Sequence, residues 1–493
     1  MRPWIRGLAI AATITSAAIL VIVTASGFIA ARLHAQGRGG NPLQQYIRTN
    51  APVIALTHVK VIDGTGAEAR EGQTIVIQDH KIAWMGADAQ ASIPSGAQVM
   101  ELPGYTVLPG MVGMHEHMFY PAGGQYNELT VTAPRLYLAC GVTTARTAGS
   151  LEPYADLNLK KTIDDGRALG PKMNVTGPYL EGPPGTGTQM HQLSGADEAR
   201  DMVNYWANLG AGSFKAYMHI TRAELSAAIA EAHKHGTKLT GHLCSIGFRE
   251  AAGLGIDNLE HGLVVDTEFN PGKEVDKCPA QNDTFATIAK MDVEGAEIQQ
   301  TIHELVAKHV AVTSTLPVFE GFVPNRPPMQ WMTRALDALE PSERVAYLEG
   351  RARTANGATN PDAPWNHLLK TEMQFEHDFV KAGGVLMAGV DPTGAGGDLP
   401  GFGDQREVEL LVEGGFTPLE AIHIATYNGA HFLGIDDKVG TLAAGKAADI
   451  MLIHGDPSAN IADIEKLEIV FKDGVGYDSA KIIESVRGTV GLH

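Results

Sequence analysis

Two histidines one residue apart, His115 and His117 in Met114-His115-Glu116-His117, are the first positions whose type and spacing can do chemistry. Side chains at i and i+2 of an extended strand share a face, so both imidazoles can grip one ion. In a chain holding 19 histidines the pair means little by itself. Company gives it weight. His242 follows Lys238-Leu-Thr-Gly, His261 sits in Asn258-Leu-Glu-His-Gly, and Asp391 closes Met387-Ala-Gly-Val-Asp, each at the end of an expected strand. Lys215, in Ser213-Phe-Lys-Ala-Tyr, lies inside another strand, where apolar neighbours make a free ammonium costly. Burial lowers a lysine's pKa, and the neutral amine can take up carbon dioxide to become a carbamate that bridges two metals. These nitrogen and oxygen donors suit divalent zinc, two ions for a site this rich, and tolerate manganese, nickel or cobalt.

The elements that must position these groups alternate. Strand candidates begin near 107–117, 142–147, 173–180 and 213–219, and continue at 238–244, 258–263, 310–318 and 385–391. Helical patterns such as 196–209, 222–235, 298–309 and 419–433 separate them. Strands alternating with helices predict parallel βα units, and eight of them predict an α/β fold of the (β/α)8 TIM-like barrel type, with its catalytic groups at the C-terminal strand ends. Short strands with turn punctuation at both ends of the chain predict a small β-sandwich built from residues 51–105 and 437–480, flanking a barrel over 106–436. Two segments, 265–295 and 319–366, exceed ordinary βα loops and are candidate substrate lids.

A formal charge of −18, from 56 acidic and 38 basic residues, provides no basic field and argues against a nucleic-acid partner. The N-terminus carries Arg2 and Arg6 ahead of an apolar run from Gly7 to Ala31, which predicts an export signal over 1–36, cleaved or kept as an anchor through 7–31. The folded part is then expected in the periplasm or outside the cell, touching a membrane only through that segment. Cys140, Cys244 and Cys278 are too few and scattered for a disulfide framework and read as core thiols. The expected partner is a small-molecule substrate, with a homo-oligomer possible in principle.

The order His-x-His, Lys, His, His, Asp on successive strands resembles the amidohydrolase superfamily, in particular its imidazolonepropionase-like and Xaa-Pro dipeptidase-like branch. Leu108-Pro-Gly-Met-Val-Gly-Met-His-Glu-His is similar to that family's first-strand motif, and Gly440-Thr-Leu-Ala-Ala-Gly-Lys-Ala-Ala-Asp-Ile to its return into the β domain. The resemblance implies that His115, His117 and Asp391 hold a buried metal, that His242 and His261 hold an exposed one, and that carbamylated Lys215 bridges them. It implies hydrolysis of an amide, peptide or cyclic amide bond by a bridging hydroxide, with Asp391 as general base and then acid, and His261 at the reacting centre. Tyr120, Tyr217 and His219 are the substrate-contact candidates.

Rival readings remain. Tyr179-Leu-Glu-Gly-Pro resembles the third-strand segment of N-acetylglucosamine-6-phosphate deacetylases, which would make Glu181 a ligand and leave Lys215 without a metal role. A lactonase could use the same metals, since a hydroxide does not choose its electrophile. Deaminases of this fold carry a glutamate three residues after the fifth-strand histidine, where this chain has Ser245. A non-catalytic scaffold on an inactive barrel would be expected to lack the ligands found here.

Overall fold

The computed structural model describes residues 41–356, 363–393 and 398–492. The expected export segment 1–36 lies outside them, and no described helix is long and apolar enough to cross a membrane.

Eight parallel strands carry the site, arranged as a sheet of three and a sheet of five. The first three are Met111–Glu116, Val142–Thr147 and Lys172–Asn174. The other five are Ser213–Ala216, Lys238–Gly241, Asn258–Glu260, Ala311–Ser314 and Leu386–Ala388. Each overlaps an expected strand, and all but Val142–Thr147 are shorter than expected. Strands three and four are joined by single bridges, Thr176 to Ser213 and Leu180 to Ala216. At the other edge the Asp391 N–H donates to the His115 carbonyl at 2.9 Å. That edge needs a glycine: a Cβ on Gly389 would overlap the His115 Cβ.

The helices follow their local signals. Ala196–Leu209 starts and stops where its pattern does, and Gly210 ends it with φ 105°. Arg222–Lys234 opens with a capping box in which Thr221 and Glu224 satisfy each other's orphan groups. The pattern over 419–433 breaks into three pieces, the middle one a π-helix over Ile424–Asn428. The two long connections are not bare loops. The first contains Gln281–Ile288, and the second Leu316–Glu320, Met329–Leu336 and Pro341–Asn356.

The two strand-rich ends of the chain do pair with each other. Ile450–His454 lies antiparallel to Tyr105–Pro109, within one nine-stranded sheet. Nine strands from both ends of the chain thus share one hydrogen-bonded network. Val53–Val61 makes it continuous, since its two halves pair parallel with Gln98–Glu101 and with Tyr105–Pro109. Ile54, Leu56, Ile75, Val107, Ile450 and Phe471 form its separate core.

The cysteine expectation needs correction. Cys140 is a buried thiol, but Cys244 and Cys278 form a disulfide across 34 residues of sequence. The spacing concealed it because the pairing depends on the long connection folding back beside the fifth strand. Closing a loop of this length stabilises by about 3–4 kcal/mol through the unfolded state. A Cys278→Ser variant is therefore expected to lose about 2–4 kcal/mol in denaturant unfolding; an unchanged midpoint would show that the bridge contributes nothing.

Candidate active site

The six side chains singled out for metal binding converge at the C-terminal ends of the parallel strands. Lys215 Nζ donates to His115 Nε2 at 2.9 Å, and Asp391 Oδ1 lies 3.0 Å from His117 Nε2 and 3.6 Å from His115 Nε2. Asp391 Oδ2 lies 3.8 Å from His261 Nε2. The His242 ring centroid is 4.3 Å from that of His261, which is 4.5 Å from that of His115. One ligand atom from each of His115, His261 and Asp391 falls within 4.8 Å of the others.

Two backbone turns produce this convergence. His261 has φ 71° and Asp391 φ 51°, left-handed conformations that side-chain-bearing residues avoid unless their surroundings impose them. In regular alternation His261 would face away from Glu260; the turn brings both inward. The next residue, Gly262, also has φ 71°, and a Cβ there would overlap Glu372 Oε1. Glu372 accepts the Leu263 and Val264 N–H groups at 3.2 and 2.7 Å, pinning the turn that aims His261.

The electrostatics keep the imidazoles neutral and the aspartate charged. Burial lowers His117 to about 4 against the pull of Asp391, and burial followed by the Lys215 charge lowers His242 to about 3. Burial brings Lys215 down to about 8, with Glu260 and Asp391 opposing. Burial works against ionisation of Asp391, yet His115 and His117 beside it hold the carboxyl well below its usual range. Neutral imidazoles and an ionised carboxylate are the forms in which these groups bind cations, and a lowered lysine pKa favours the free amine that carbamylation needs.

The donor set fits a divalent cation on a further count. His261 Nε2 and His117 Nδ1 are buried with no hydrogen-bond partner, and an unpaired buried nitrogen is costly unless something binds it.

Two groups of the site were not anticipated. Glu260, fully buried, accepts from His115 Nδ1 at 2.9 Å, so that Nε2 of that ring carries the lone pair. Arg146, also fully buried, donates to Glu260 at 3.1 Å, to the Met114 carbonyl at 2.7 Å and to Thr240 Oγ1 at 2.6 Å. Each is a charged residue inside a strand buried along its whole length, which demands a partner.

The substrate-contact candidates separate. Tyr217 lines a cavity of about 400 Å³ in front of the cluster, as do His117, Lys215, His242, His261 and Asp391. His219 does not line it; its ring turns to Glu181 at 3.3 Å. Tyr120 is buried and lines an adjoining hollow instead. Glu181 stands outside the cluster, its carboxylate accepting from the Gly182 and His219 N–H groups at 2.9 and 2.8 Å and from Thr186 Oγ1 at 2.7 Å. Both long connections supply cavity wall, through Phe285 and through Phe319, Phe322 and Trp365.

Known proteins are similar to this chain in sequence and fold. The Amidohydrolase family matches residues 330–475. The imidazolonepropionase of Mycolicibacterium smegmatis is 25% identical over 413 residues, which cover 79% of this chain and 86% of that protein. A bottromycin amidohydrolase superimposes with a TM-score of 0.68 at 19% identity, covering 92% of this chain and 97% of the other. A Xaa-Pro dipeptidase with bound methionine in its active site gives 0.63 at 19% identity, over 86% of this chain and 100% of its own. Together the family match, the relatives and the likeness of fold support the amidohydrolase superfamily for this chain. Its α/β fold is that of amidohydrolase structures.

Proposed function

We propose that this chain is a metal-dependent amidohydrolase that cleaves a carbon–nitrogen bond, of an amide, peptide or cyclic amide, in a small substrate. The carrying observation is the meeting of His115, His117, Lys215, His242, His261 and Asp391 at the head of one cavity. The reading includes a (β/α)8 barrel. It is supported by the hydrogen bonds that link the third strand to the fourth and the residues after the eighth to the first.

His115, His117 and Asp391 would hold the inner ion, His242 and His261 the outer one, and Lys215 as a carbamate would join them. Bound there, two divalent ions, zinc by the donor types, would supply Lewis-acid activation of water and of the scissile carbonyl. The chain's own part is proton handling and orientation. Asp391, ionised and at the cavity wall, would take a proton from the attacking water and return it to the leaving nitrogen. Glu260 fixes the His115 tautomer, and Glu372 fixes the direction of His261. Working outside the cytoplasm, behind residues 1–36, belongs to the same reading; the Cys244–Cys278 bridge supports it, since disulfides persist in oxidising compartments.

Metal analysis tests the proposal. Chelation is expected to abolish hydrolysis of a dipeptide and N-acyl amino-acid panel, and zinc to restore it, while Lys215→Ala should lose about half the bound metal. Hydrolysis that survives chelation would overturn it.

A further inference from the structure

We propose that Thr315 is a positioning residue for the outer metal ion: its hydroxyl takes the Nδ1 proton of His261 while Nε2 of that ring binds the ion, and so sets how tightly the ion is held. The inference rests on the metal-dependent reading above, which places His242 and His261 at the outer ion, and adds a residue to it.

The placement of Thr315 carries the argument. It is fully buried, follows the strand Ala311–Ser314 directly and stands at the N-cap of Leu316–Glu320. A threonine at that place ordinarily turns its hydroxyl to the free N–H groups of its own helix. Here it makes no such bond. The Leu316 N–H is taken instead by Glu407 Oε2 at 3.0 Å, and Thr315 Oγ1 lies 2.8 Å from His261 Nδ1. The two side chains reach each other from neighbouring strands in fixed register, since Glu260 pairs with Thr313 and the His261 N–H donates to the Thr313 carbonyl at 2.9 Å.

This contact decides the tautomer once metal binds. A neutral imidazole carries one proton, and a cation can use one ring nitrogen only if the proton sits on the other. His261 Nε2 is the buried nitrogen without a hydrogen-bond partner, 3.8 Å from Asp391 Oδ2, so the ion belongs there and the proton on Nδ1. Nδ1–H then donates to Thr315 Oγ1. His115 is served in the same way at the inner ion, but by the carboxylate of Glu260 at 2.9 Å. Thr315→Val would strand a buried N–H each time the outer ion binds. In the metal-free ring the proton can move to Nε2, so the larger cost falls on binding.

Zinc titration of the metal-stripped full chain against a competing chelator tests the proposal by resolving two binding steps, with His242→Ala marking the outer one. Thr315→Val is expected to weaken the outer step about tenfold to a hundredfold and leave the inner step within about threefold, and Thr315→Ser, which keeps the hydroxyl, to restore it. Equal weakening of both steps, as a merely structural change would give, overturns the proposal. So does an unchanged outer step, no rescue by Thr315→Ser, or a parent chain that binds fewer than two zinc ions. A second reading needs no variant at position 315: with 15N-labelled histidine, the two-zinc parent is expected to show His261 Nδ1 protonated and slow to exchange, and an unprotonated Nδ1 overturns the proposal. The expected titration without turnover of any amide by the zinc-loaded parent leaves Thr315 its role and removes the hydrolase reading. Turnover with an unchanged outer step in Thr315→Val does the reverse.

Discussion

Replacing Asp391 by asparagine is expected to lower kcat/KM by about three orders of magnitude, the middle of the range for loss of a positioned acid–base group. The change is nearly isosteric, so the left-handed turn at φ 51° and the hydrogen bond to the His115 carbonyl should survive. What disappears is the charge that lies 3.0 Å from His117 and 3.8 Å from His261, and with it the only carboxylate among the described residues that line the cavity. An amide cannot accept the water's proton at neutral pH. Metal content measured on the same sample separates the two ways to fail, since loss of both ions would mark Asp391 as a ligand alone. Activity within tenfold of the parent protein would take the acid–base role away from Asp391.

Arg146→Met is expected to destabilise the protein by about 3–5 kcal/mol, because it leaves Glu260 charged, buried and deprived of its main counter-ion. Burial opposes the ionisation of Glu260, and Arg146 is the first of the charges that hold it ionised, ahead of His115 and Lys215. The guanidinium also ties the first strand to the fifth through the Met114 carbonyl and Thr240. Pairing the change with Glu260→Gln removes the stranded charge, so the double variant should recover part of the loss. Denaturant unfolding of the four proteins forms a double-mutant cycle. Strict additivity would show that the two groups do not act as a unit.

Both predictions concern places where linear pattern and spatial arrangement divide. The ligand types were legible because each sits at the end of a short apolar run in a strand–helix alternation, and that periodicity is local. Lys215 stood out because a lysine between Phe214 and Ala216 has no solvent to reach. Glu260 and Arg146, on two other strands beside polar neighbours, were not marked in this way, and only their meeting in space gives them meaning. Tyr120 was drawn toward the site by its nearness to His117 in sequence, whereas the hairpin of Phe119–Ala122 with Gln125–Glu128 carries it into the neighbouring hollow. Glu181 was read as a possible ligand from its motif, and its carboxylate is occupied by the backbone of the turn it stabilises.

By itself, then, the amino-acid order determined the alternation of elements, the residue types available for a cation and the pairing of both chain ends into a β-rich layer, since hydrophobic periodicity and turn chemistry act over a few neighbours. Which nitrogens point inward, which carboxylates are already engaged, which cysteines join and which rings wall the cavity were decided only by the tertiary structure. These depend on groups brought together from separate parts of the chain, such as His115 with Glu260, Glu372 with Val264 or Cys244 with Cys278, and on backbone turns at His261 and Asp391 that no local preference would favour.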